Sequence, residues 1–131
     1  MFQPDARQAA MMVLRLLDAK TAEGRSVSRA RLTELTIRRL WGRTRVQEAF
    51  LLDVQEILLN AGWALFWAGS SYAVIRLSAI EGWPRISSKR IEFDLDRLAR
   101  DRRHAVRFFD EIEHLLLAEP NRRDEEEDAS E

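Results

Sequence analysis

Two carboxylate–imidazole pairs, Asp101-x-x-His104 and Glu111-x-x-His114, are the residues whose types and spacing could bind a metal. A carboxylate and an imidazole three residues apart fall on adjacent turns of one helix, the spacing used in di-iron bundles. Such a site needs a second pair from another helix, and the sequence has two histidines in all. At about 1.5 Å rise per residue the two pairs stand roughly 15 Å apart along one helix, too far to share an ion. Ordinary surface charge pairing explains them better. The chain has no cysteine, so thiolate zinc sites, disulfide frameworks and cysteine nucleophiles are excluded. Its five glycines form no phosphate-binding loop. No catalytic residue, metal or cofactor is expected; the expectation is a binding protein and not an enzyme.

The other chemistry on offer is anion recognition. The 131 residues carry 21 basic and 22 acidic side chains, a net charge of −1 that hides a strong segregation. Residues 25–45 hold seven arginines (Arg25, Arg29, Arg31, Arg38, Arg39, Arg43, Arg45) against the single acid Glu34, a net of +6. Residues 111–131 carry nine acids and two bases, a net of −7. Nineteen of the 21 basic residues are arginine, whose planar fork suits bidentate phosphate contacts better than lysine does. A genome rich in G and C would also supply arginine everywhere. Singly, each arginine is best read as part of a solvated helix face or an internal ion pair. As a block they point to an anionic partner.

Elements able to position these residues follow from the periodicity. With 46% hydrophobic residues the chain can bury one core, leaving an arm or tail outside it. A first helix is predicted from Asp5 to Glu23, with Ala6, Ala9, Met12, Val13 and Leu16 or Leu17 at helical spacing and Gly24 as its stop. Ser28 is expected to cap a second helix over Arg29–Leu40, broken by Gly42. Thr44 and Gln47 have the spacing of a capping box for a third helix reaching Asn60, with Val46, Phe50, Val54, Ile57 and Leu58 inward. Trp63–Trp67 and Tyr72–Ile80 read as a β-hairpin around Ala68–Ser71. Residues 81–89 read as loop, with a short extended piece at Arg90–Phe93. A last helix, capped by Asp94 or Asp96, is expected to end near Ala118. The remaining charged stretch is expected to be disordered. No apolar run approaches the roughly 20 residues that span a bilayer, and MFQPDARQAA lacks the order of a signal peptide. No membrane association is expected and the expected location is cytoplasmic.

Helix, helix, turn, helix and β-hairpin is the element order of the winged helix-turn-helix superfamily. The sequence resembles it over Ser28–Leu77, carried by Gly42-Arg43-Thr44-Arg45, the spacing Val46/Phe50/Val54/Leu58 and Ala61-Gly62-Trp63. The resemblance implies a mainly α fold with a small β-hairpin (α+β), a winged helix-turn-helix with an added C-terminal helix. It implies a small bacterial double-stranded DNA-binding protein, a transcriptional regulator or DNA accessory factor. Helix three would enter the major groove with Arg43, Thr44, Arg45 and Gln47 at its reading end. Arg29, Arg31, Arg38 and Arg39 would neutralise phosphates. Three features depart from the pattern: Glu48, Asp53 and Glu56 on helix three, a wing tip without lysine or arginine, and a second helix lacking small residues.

The hairpin is apolar on both faces and the chain has four tryptophans, so its second face is expected to be covered, either by the chain's own first or last helix or by another chain. Leu95, Leu98, Ala105, Phe109, Ile112 and Leu116 approximate a heptad seam interrupted by Arg102. Trp63, Trp67, Phe109 and Leu116 are the expected partner-interface residues, and a homodimer or another protein the expected partner. The expected organisation is a winged-helix domain at 1–93, a C-terminal helix and dimerisation element at 94–118, and an acidic tail at 119–131. The alternative function is a winged-helix protein-interaction module, a subunit of a larger complex without direct DNA readout.

Overall fold

Pro4 is buried, and the first helix opens just behind it. Asp5 Oδ1 accepts the Gln8 N–H at 2.8 Å and Gln8 Oε1 accepts the Asp5 N–H at 3.1 Å. This reciprocal box satisfies donors that a helix start otherwise leaves free. The helix it opens is α1 (Ala6–Thr21) in the computed structural model, which describes residues 2–21, 24 and 26–117. Ala9, Ala10, Val13 and Leu17 form its buried stripe. The predicted end at Glu23 lies outside the described residues, as does Arg25.

The next element is a strand, β1 (Arg29–Leu32), where the sequence predicts the start of a helix. Ser28 caps nothing; its carbonyl accepts the Arg76 N–H at 2.8 Å. Thr33 is the cap instead, its Oγ1 accepting the Thr36 N–H at 3.1 Å, and α2 spans Glu34–Trp41. Two-residue alternation sends Leu32 inward and leaves Arg29 and Arg31 exposed. A neighbouring strand with an unpaired edge offers these four residues complete backbone pairing, which overrides their weak helical preference. α2 ends at Gly42, whose φ of +59° is the left-handed conformation of a helix terminus.

α3 (Glu48–Asn60) starts later than predicted, because Gln47 is itself the extended cap residue and makes no side-chain cap bond. The Thr44/Gln47 box therefore does not form. After Gly62, β2 (Trp63–Trp67) and β3 (Tyr72–Arg76) make the hairpin, closed by the Ala68 N–H on the Ser71 carbonyl at 2.8 Å. β3 stops short of the predicted Ile80 because the chain turns into α4 (Leu77–Ile80), the Leu77 N–H meeting the Gly62 carbonyl at 2.9 Å. The sheet has the order β1-β3-β2 and is antiparallel throughout. Its register aligns Leu32, Tyr72 and Trp67 in one row, Ala30, Val74 and Leu65 in another. Leu32, Leu65, Tyr72, Val74 and Trp63 join Val13, Ile37, Trp41, Val54 and Leu58 from the helices in one core, so the fold is mixed α+β. Trp41 is fully buried, donates Nε1–H to the Ala9 carbonyl at 3.1 Å and meets Phe50 edge-on at 5.5 Å.

The chain divides into two units, Met1–Pro84 and Arg85–Glu131. In the second, a 3₁₀ turn (Ser88–Ile91), capped by Ser87, leads directly into α5 (Glu92–Arg100). The extended piece at Arg90–Phe93 and the caps at Asp94 or Asp96 are thus replaced by one continuous helical entry. The single long last helix is also broken. Asp101, at φ −136° and ψ 106°, ends α5 by donating its N–H to the Arg97 carbonyl. Its Oδ1 then accepts the Arg103 N–H at 3.0 Å and opens α6 (Arg102–Ile112). The seam from Leu95 to Leu116 is therefore not one straight stripe. A π turn, Glu113–Leu117, follows α6, and no described residue in these four elements is buried. Ala118 and the predicted tail 119–131 lie outside the described residues. Among the described residues no helix is long and apolar enough to cross a membrane.

Candidate nucleic-acid interface

The last turn of α2 carries Arg38 and Arg39, cations at the helix end where the dipole favours them. Gly42 and Arg43 return their N–H groups to the Arg39 and Arg38 carbonyls, at 3.4 and 3.0 Å, and so fix the corner between α2 and α3. Two hollows adjoin at this corner and share Gly42, Arg43 and Thr44. The first, about 320 Å³, adds Leu35, Arg38 and Arg39. The second, about 370 Å³, adds Gln3, Arg45, Gln47 and Phe50.

Six of the eight predicted DNA-binding residues thus meet at one corner: Arg38, Arg39, Arg43, Thr44, Arg45 and Gln47. Arg39, Thr44, Arg45 and Gln47 are exposed, whereas Arg38 and Arg43 are half-buried. Arg29 and Arg31 are exposed on the edge strand β1, not on α2, and line neither hollow. Among the described residues the recorded ion pair is Arg15–Asp18 at 3.5 Å, and none of the corner arginines has a carboxylate within ion-pair distance. Pairing among the described residues therefore does not account for the corner arginines.

Arg43 has a structural task that its sequence position does not announce. Its Nη2 donates to the Pro4 carbonyl at 2.9 Å, and its guanidinium carbon lies 3.8 Å from the centre of the Phe50 ring. Together these contacts tie the N-terminal arm to the start of α3. Arg43 Nε and Arg38 Nε are buried without a hydrogen-bond partner among the described residues. The arm itself was missed by sequence reasoning, although Asp5-x-x-Gln8 has the spacing of a capping box and would have fixed where it ends.

No family model, curated protein or solved structure matches this chain. The chemistry of the corner must be read from its own residues. α3 is unfavourable to phosphate along its length: Glu48 in its first turn and Asp53 and Glu56 beyond it are exposed beside Leu52 and Leu59, and the helix holds no basic residue. The hairpin tip is uncharged. Trp63, expected at a partner interface, is instead 6% exposed and belongs to the core, covered by the Arg76 guanidinium at 4.7 Å. An indole this large is held inside by the helices packed on that sheet face. Trp67 is 46% exposed and meets the Tyr72 ring edge-on at 4.9 Å. Burial raises the Tyr72 hydroxyl above its usual value of 10.0, and the charge of Glu34 adds to the rise. Phe109 and Leu116 are 60% and 70% exposed. Of the carboxylate–imidazole pairs, Asp101 is occupied as a helix cap and His104 lies 5.8 Å from the Phe108 ring.

Proposed function

We propose that the first unit is a winged helix-turn-helix module that binds double-stranded DNA through the corner between α2 and α3. The element order supports the fold assignment: three helices, the second and third joined by a short turn, lead into a hairpin, with one strand inserted after α1. The observation that carries the function is the set Arg38, Arg39 and Arg45, unpaired by any carboxylate among the described residues and gathered beside the exposed Thr44 and Gln47. In this reading Arg38 and Arg39 neutralise phosphates, while Arg45, Thr44 and Gln47 meet base edges. The carboxylates of α3, Glu48 in its first turn included, keep the helix body off the duplex, so contact is confined to the loop before it and the cap residue Gln47. Action is by stoichiometric occupancy of a site, without chemistry on the DNA.

Duplex binding measured at several salt concentrations tests this. Each lost phosphate contact lowers the slope of log affinity against log salt by about 0.9 for duplex DNA. Arg38→Ala with Arg39→Ala should therefore reduce the slope by about 1.8, and Arg45→Ala should weaken specific binding by roughly tenfold or more. Absence of duplex binding at low salt, or binding indifferent to these substitutions, overturns the proposal. A protein-interaction module is the second reading, favoured by the acidic and apolar exposed side of α3, where Leu52 is 57% exposed. It predicts no duplex affinity and loss of solvent exchange around Leu52 and Trp67 when the partner binds.

A further inference from the structure

α6 carries its charges against its own dipole. Arg102, Arg103 and Arg107 lie toward the N-terminal end, Asp110, Glu111 and Glu113 toward the C-terminal end. An isolated helix is stabilised by the opposite arrangement, acids first and bases last. Within that reversed pattern, Arg102, Val106, Phe109 and Glu113 are spaced at i, i+4, i+7 and i+11, which places them on one face. All four are exposed. Glu113 keeps helical backbone angles, φ −57° and ψ −47°, so the face is continuous to its end.

We infer that this face pairs with the same face of a second copy of the chain, the two α6 helices running antiparallel about a two-fold axis. The sequence of the face is complementary to its own reverse. Antiparallel pairing sets Arg102 of one copy opposite Glu113 of the other at both ends, and Val106 opposite Phe109 at the centre. Every residue of the face then has a suitable partner, as an isologous contact requires. The antiparallel copy thus places the two charges of the face, Arg102 and Glu113, each beside an opposite one. A parallel pair would set Arg102 against Arg102 and Glu113 against Glu113. A nucleic acid would meet the three acids of the C-terminal end and be repelled there. The inference concerns the second unit and does not rest on the DNA reading of the first.

The full chain is examined by sedimentation equilibrium at ascending concentration, without DNA, so that success or failure is independent of duplex binding. The wild type should reach twice the chain mass of 15.3 kDa. Arg102→Glu alone and Glu113→Arg alone should each be monomeric where the wild type is dimeric, because each creates two like-charge contacts per interface. Both changes bring the helix charges closer to what its dipole favours, so circular dichroism should show no loss of helix. The double variant R102E/E113R restores the complementarity and should restore the dimer. A wild type that stays monomeric at every concentration, single variants that still dimerise, or a double variant that does not recover overturns the inference.

Discussion

Substituting Gly42 by alanine probes the union of the N-terminal arm with the corner between α2 and α3. The residue sits at φ +59°, where an L side chain costs roughly 1 kcal/mol. A methyl built there runs into the Phe2 carbonyl oxygen, which is backbone and cannot rotate aside. The arm must therefore lift, taking with it the buried Pro4 and the carbonyl that receives Arg43 Nη2 at 2.9 Å. A hydrogen bond to a charged donor contributes about 1.5–3 kcal/mol, reduced here because the freed guanidinium regains water. The total loss should be about 2–3 kcal/mol in the full chain, read by urea unfolding with Trp41 and Trp63 as buried reporters. In a chain starting at Asp5 the collision is gone, and the same substitution should cost only the roughly 1 kcal/mol of backbone strain. Equal costs in the two backgrounds would refute the seating of the arm on Gly42.

Two further expectations concern the core and the caps. Tyr72 has a native pKa above its unfolded value, so between about pH 10 and that native value the unfolded state is the first to lose the proton. Stability should fall with rising pH there, be unaffected by this group below that window, and fall less steeply in Tyr72→Phe, as alkaline unfolding titrations will show. Asp5→Ala, which removes the cap of α1, should cost about 1 kcal/mol in urea. Thr44→Ala, at the box that does not form, should stay within about 0.5 kcal/mol; a reversal of that order would contradict the cap assignment.

The long amphipathic stretches were legible because periodicity and punctuation agreed: Ala9 and Val13 for α1, Val54 and Leu58 for α3, the aromatic run around Ala68–Ser71 for the hairpin. β2 matches its predicted bounds, Trp63–Trp67, since aromatic residues fit only a half-buried strand there. What failed was local grammar overruled by distant contacts. Ser28 has the right type for a cap, yet β3 claims the segment after it. Thr44 and Gln47 have the right spacing, yet Arg43 fastens to Pro4, some forty residues earlier, and α3 starts beyond them. Asp101 breaks the last helix although its neighbours suit a helix, because its short carboxylate competes for the backbone. At the candidate site, charge segregation located the arginine corner. It could not separate Arg29 and Arg31 from it, because that separation depends on a strand pairing across the whole first unit.

That pairing has a consequence for how the fold is reached. β3 is the middle strand, but its two neighbours differ greatly in distance along the chain. β2 lies across a four-residue loop, whereas every β1 partner is forty or more residues away. A hairpin closes in about 1–10 μs, while the closure of β1 must await the ordering of α2 and α3 between them. Until residue 76 has joined the sheet, nothing holds Arg29–Leu32 extended, and its local preference is for helix. The last strand to enter the sheet is thus the first to be synthesised, and it docks by exchanging one conformation for another.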